Sequence, residues 1–134
     1  MQIVVFKIGK EQFAVETEKV KSITDTMQIT RVPKASDYIK GLINLRGNVI
    51  SLLNMHLLLE LEEENKGEGR IIILELNQED VGIEVDEVDE VLEIKEDIIK
   101  KLEENKEKPY IEGIINLGDR LITLINICKL IPNY

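Results

Sequence analysis

Residues 40–55 can be laid over residues 112–127 without a gap, and this match constrains the chain more than any other feature. Gly41/Gly113, Ile43/Ile115, Asn44/Asn116, Leu45/Leu117, Ile50/Ile122, Leu52/Leu124 and Asn54/Asn126 are identical, and pairs such as Ser51/Thr123 and Leu53/Ile125 are conservative. A fainter likeness precedes it in the same order: residues 3–16 run parallel to residues 71–84. Both of those segments are an apolar run, a polar turn and a second short apolar run. Two matches in one order mean an internal duplication, with repeat halves 1–66 and 67–134.

Each half reads as strand, turn, strand, a third short strand, a connection and then a strong hairpin. The third strands fall near residues 19–23 and 87–94. The hairpins turn at Arg46-Gly47-Asn48 and Gly118-Asp119-Arg120, Gly-containing turns between β-formers. Short strands at this spacing predict an all-β chain, a barrel or sandwich in each half. A Leu/Ile-rich stretch closes each half (55–61 and 127–131) and is expected to form a short helix or turn. Residues 62–69 read as a polar linker, and the charged segment 100–109 as a solvated helix and loop.

Within the hairpins, Ile43/Ile115, Leu45/Leu117, Ile50/Ile122 and Leu52/Leu124 alternate, which puts them on one face, the barrel interior. Leu42, Val49 and Leu53, with partners Ile114, Leu121 and Ile125, are apolar on the other face. Outward apolar side chains need a cover. Packing of one barrel on the other supplies it in one reading, a partner protein in the other.

The net charge of −9 opposes binding to nucleic acid or anionic membranes, which are held through Lys and Arg. A nucleic-acid-binding SH3-like or OB-like module is the alternative reading. The charge and an aromatic content of 4% both count against it. The single cysteine, Cys128, allows no internal disulfide. The amino terminus lacks the basic region of a signal peptide, and the longest nearly apolar stretch, 49–59, contains Ser51, Asn54 and His56 and is too short to cross a bilayer. A cytoplasmic protein with no direct membrane insertion is expected.

No catalytic constellation is visible. His56 is the only histidine, and its repeat counterpart is Cys128; both follow the Asn that ends a hairpin, where packing explains them. Gly67-Glu68-Gly69 lacks the third Gly of a dinucleotide fingerprint and precedes a strand. The acidic run 84–93 has no ligand-loop Gly, so it reads as the charged face of a strand and not as a calcium site. The expectation is a chain that is not an enzyme and has no catalytic, cofactor or metal site.

The segment Arg31-Val-Pro-Lys-Ala-Ser-Asp-Tyr-Ile-Lys-Gly-Leu-Ile-Asn-Leu-Arg-Gly-Asn-Val-Ile50 closely resembles the signature region of the CheW family, the coupling proteins of bacterial chemotaxis. Lys-Gly-x-x-Asn-Leu-Arg-Gly is its most distinctive element. The second half, from Arg70-Ile-Ile-Ile-Leu through Val88-Asp-Glu-Val-Leu-Glu-Ile94 to Tyr110-Ile-Glu-Gly-Ile-Ile-Asn-Leu-Gly-Asp-Arg-Leu-Ile122, resembles the rest of that domain.

The resemblance implies one CheW-like domain over 1–134, made of two five-stranded SH3-like β-barrels around a shared core. Its subdomains would be about 14–66 and about 1–13 with 67–134, with strand exchange between barrels. It further implies a scaffold joining the cytoplasmic tips of methyl-accepting chemoreceptors to the regulatory domain of the histidine kinase CheA. The chain has room for no fused kinase or receiver domain, which favours a stand-alone adaptor.

Two departures stand out. Where the family's third strand carries Glu in a Lys-Val-x-Glu-Ile pattern, this chain has Lys19-Val20-Lys21-Ser22-Ile23, so Arg46 lacks that ionic partner. After the hairpin, Asn54-Met55-His56 stands where Asp-Leu-Arg is common.

Positions that agree between halves are explained by the barrel, and those that differ are free for function. Arg46 aligns with Gly118, Gly47 with Asp119 and Asn48 with Arg120. Arg46 can make a bidentate contact to a carboxylate, which Gly118 cannot. The expected partner-binding residues are therefore Arg46, Gly47, Val20, Ser22, Ile23, Leu42, Val49 and Leu53, with core packing the competing explanation for the apolar ones.

Overall fold

The computed structural model describes residues 1–33, 35–61, 69–101 and 108–130. Residues 62–68 of the proposed 62–69 linker, residues 102–107 of the charged segment and the last residues, 131–134, lie outside them. Eleven strands are described: β1 (Gln2–Ile8), β2 (Glu11–Glu16), β3 (Val20–Asp25), β4 (Ile39–Leu45), β5 (Asn48–Leu53), β6 (Arg70–Leu76), β7 (Glu79–Val85), β8 (Glu87–Glu93), β9 (Ile99–Lys100), β10 (Ile111–Asn116) and β11 (Leu121–Ile125). One-turn helices α1 (Met55–Leu58) and α2 (Ile127–Leu130) follow the two hairpins. The all-β class expected from the alternating patterns holds.

The strands form two sheets whose halves are exchanged. One runs β3-β6-β7-β5-β4 and the other β8-β1-β2-β11-β10-β9. The amino-terminal hairpin β1–β2 thus joins strands of the second half, and its counterpart β6–β7 joins strands of the first. At each joint the hairpin meets its host through a parallel pairing, β5 with β7 and β11 with β2.

Closed five-stranded barrels are not what the main-chain ladders make. β3 and β4 are the edges of one sheet, and β8 and β9 of the other. Each sheet bends at β-bulges, and the halves bulge at matching places: Val20/Ser22 opposite β6 corresponds to Val88/Glu90 opposite β1. The second sheet gains a sixth strand because Ile99–Lys100 pairs with β10, through Ile114↔Lys100 and Ile115↔Ile99. In the first half the same crossing is reduced to one bridge, Thr30↔Leu42.

That crossing explains an identity in the sequence. A Cβ on Gly41 would lie 2.5 Å from Ile29 Cγ2 and 2.7 Å from the Thr30 carbonyl oxygen. On Gly113 it would lie 2.6 Å from Ile99 Cγ2 and 2.9 Å from the Lys100 carbonyl oxygen. Both glycines are kept by the segment that passes over them.

The near-continuous apolar runs of β1 and β6 also find their reason. Alternate side chains point to opposite faces, and both faces are buried. Val4, Phe6, Ile8, Ile72, Leu74 and Leu76 enter a core shared by the two sheets. Ile3 and Val5 fill the concave side of the six-stranded sheet, and Ile71 and Ile73 that of the five-stranded one. Ile43, Ile50 and Leu52 sit in the latter core with Leu45 packed against it, as their period of two predicts.

Candidate docking surface

The β4–β5 hairpin turns in two residues, with Leu45 paired to Asn48. Arg46 has φ +52° and Gly47 φ +88°, the pattern of a type I′ turn. The Gly47 N–H donates to Asn44 Oδ1 at 3.0 Å, which fixes the tip. Gly118, the counterpart of Arg46, has φ +90°, whereas Asp119 is not left-handed, so the second turn follows the II′ pattern. Arg46 therefore stands in a left-handed conformation that favours glycine and that glycine occupies in the other half. Its side chain is exposed, and among the described residues it forms no ion pair.

The structure separates the other expected docking residues. Val49 is 67% exposed, the most exposed of the large apolar side chains described. Leu42 is half-buried and bridged to Thr30. Val20, Ser22 and Ile23 lie on the edge strand β3 and are half-buried, with Val20 and Ile23 packed in part against the shared core. Leu53 is 1% exposed inside that core, so packing of one sheet on the other is its cover and no docking role is assigned to it. Lys21 of β3 and Asn48, Val49 and Ser51 of β5 line one open groove, whose far wall carries Asp80 in an ion pair with Lys21 at 3.1 Å.

The second half carries an equivalent surface, of which the sequence pattern marked only Leu121, as an outward apolar position, and assigned no docking role. Leu121, the partner of Val49, is 62% exposed, and Val91, the partner of Ile23, is 54% exposed. Between them Glu90 on β8 forms an ion pair with Arg120 at the hairpin tip. The β3–β6 and β8–β1 registers place Glu90 at the position of Ser22. The glutamate absent from the first third strand is thus present in the second, paired to the residue that aligns with Asn48. A residue-by-residue alignment of the third strands would have found it.

The two hairpin asparagines have structural duties. Asn54 Oδ1 accepts from the Leu57 N–H at 3.2 Å, and Asn126 Oδ1 from the Cys128 N–H at 3.0 Å, each satisfying a free donor at the start of its short helix. Their own N–H groups donate to the carbonyls of Tyr38 (2.7 Å) and Tyr110 (2.8 Å). His56 approaches Asp86, with Nε2 4.0 Å from Oδ1, while Cys128 packs against the shared core. Among the described residues no group of three or more His, Cys, Asp or Glu is arranged to hold a metal ion. No described helix is long and apolar enough to cross a membrane.

A family model for the CheW-like domain matches residues 2–133. The chain belongs to the CheW family. Among curated relatives, the chemotaxis protein CheW of Bacillus subtilis is 35% identical over 129 residues, covering 93% of this chain and 83% of its own. That of Klebsiella aerogenes is 30% identical over 136 residues, covering 98% and 82%. The crystal structure of the scaffolding protein TtCheW from Thermoanaerobacter tengcongensis superposes with a TM-score of 0.88 at 30% identity, covering 96% of this chain and 86% of that one. The CheW resemblance in the residue 31–50 signature thus extends across the chain.

Proposed function

We propose that this chain is a non-catalytic cytoplasmic scaffold that couples the cytoplasmic tips of chemoreceptors to the histidine kinase CheA. Membership of the CheW family and likeness to a solved scaffolding protein support this reading. The observation that carries it to particular residues is Arg46. A charged side chain is held at the tip of a tight turn, in a conformation that favours glycine, beside the exposed Val49 and with no ion pair among the described residues. An apolar patch next to a forked cation is the composition of a protein-binding surface. Arg46, Gly47, Val20, Ser22, Ile23, Leu42 and Val49 form the proposed docking face.

The conformation supplies an unusually clean test. Arg46→Gly removes the guanidinium while relieving the left-handed backbone, so stability should hold or rise by up to about 1 kcal/mol. Titration calorimetry with the CheA regulatory domain and with a receptor tip from the same organism should show weaker binding to at least one partner, and Arg46→Glu should weaken it further. Native affinity in both variants would remove Arg46 from the interface. Absence of binding by the unaltered chain at high micromolar concentration would end the scaffold reading.

A further inference from the structure

The two parallel joints, where each exchanged hairpin meets its host strand, occupy equivalent places in the duplication but are differently charged. At the first, Lys40 on β4 forms an ion pair with Glu84 on β7. Residues 40 and 84 correspond to 112 and 16 in the repeat alignments, and both of those are glutamates. Where the first joint has a cation facing an acid, the second has two acids.

The backbone differs at the same place. The first joint pairs Ser51↔Val81, Leu52↔Gly82 and Leu53↔Ile83. The second pairs Thr123↔Phe13 and Leu124↔Ala14 and then stops. The missing rung is Ile125 with Val15, the residue before Glu16. Val15, Glu16, Glu112 and Ile125 together line a small pocket that opens there.

We propose that mutual repulsion of Glu16 and Glu112 holds the β2–β11 joint one rung short, and that uptake of a proton by Glu16 closes it. Lys19 lines the same pocket and compensates the pair only in part. Burial, then Glu112 on β10, Glu18 beside β2 and Glu96 before β9 raise the Glu16 carboxyl above the usual range, against Lys19, which lowers it. The Asn126 amide donates to Glu112 Oε1 at 3.1 Å, which orients that carboxylate without neutralising it. A group that binds its proton more tightly folded than unfolded stabilises the fold in acid, and that contribution is lost as the pH rises through its raised value. The joint is therefore tighter in acid and looser at neutral pH, whereas the first joint has a cation, Lys40, in place of the second acid. This inference is independent of the scaffold reading.

Amide exchange on the full chain tests it, after correction for intrinsic rates. Glu112→Gln keeps an acceptor for Asn126 and removes the charge. Protection of the amides around Val15 and Ile125 should rise about tenfold at about pH 7.5 and converge with the unaltered chain at about pH 3.5, below the ordinary glutamate range. Lys40→Glu should lower protection around Leu53 and Ile83 at neutral pH by a similar factor, giving the first joint the weakness of the second. Unchanged protection in Glu112→Gln at neutral pH, or an equal change at both pH values, would overturn the proposal. So would a Lys40→Glu chain whose first joint exchanges as before.

Discussion

Glu90 on β8 and Arg120 at the tip of the β10–β11 hairpin are joined by an ion pair that spans the open side of the six-stranded sheet, where no main-chain ladder runs. Their counterparts in the five-stranded sheet, Ser22 and Asn48, cannot form such a pair. Arg120 Nη2 donates to Glu90 Oε1, which raises the Arg120 pKa and keeps the guanidinium charged. Both side chains are partly exposed, which keeps the contribution small. Arg120→Ala should lower the thermal midpoint by the equivalent of about 1 kcal/mol, less in high salt. A Ser22→Glu, Asn48→Arg double variant should show a favourable coupling of about 0.5 kcal/mol in a double-mutant cycle. Zero coupling would mean that the two sheets are curled differently.

Gly41→Ala and Gly113→Ala both push a methyl group into the segment that crosses above. Because carbonyl oxygens of that segment lie under 3 Å from the new carbon, backbone must shift. Each substitution should cost about 1–3 kcal/mol in urea unfolding. A cost below about 0.5 kcal/mol at either site would show that the crossing segment yields freely.

Leu53 and Val49 lie on one strand and read alike in sequence, yet truncation should separate them sharply. Leu53→Ala opens a cavity in the shared core and should destabilise by about 2–5 kcal/mol. Val49→Ala should stay within about 0.5 kcal/mol of the native chain. Binding to a partner should show the reverse order when measured at a temperature where both variants are folded.

Asn54→Ala and Asn126→Ala each remove the side-chain acceptor at the start of a one-turn helix. Loss of each cap should cost about 1 kcal/mol in chemical denaturation, whereas Asp at either position should retain most of the stability. Equal behaviour of Ala and Asp would argue that the cap bond is not what preserves these residues.

Much of the fold was legible because the duplication supplied an internal alignment. The β-strands, the two hairpin turns and the short helices after them follow from alternation and turn chemistry. The burial of Ile43, Ile50 and Leu52 follows from a period of two. Leu53 could not be resolved that way, because the face opposite a sheet's own core can be covered by the other sheet as readily as by solvent. The reason for Gly41 and Gly113 was hidden too, since it lies in a crossing by residues 29–30 and 99–100 that carry little strand pattern of their own. Of the candidate site, Arg46 was visible as a difference between halves, but its left-handed backbone was not. Val91, Leu121 and the Glu90–Arg120 pair were within reach of the same comparison once the third strands were aligned through their bulges.

The reciprocal placing of β1–β2 and β6–β7 has the geometry of a domain-swapped dimer whose two chains have been joined end to end. A chain emerging from the ribosome completes neither sheet when its first half is out: the five-stranded sheet waits for β7, and the six-stranded one for β11. Until then the apolar hairpin β1–β2 has no host in its own half. Such delayed, non-local pairing makes folding slow and leaves the nascent first half in need of protection from its own kind.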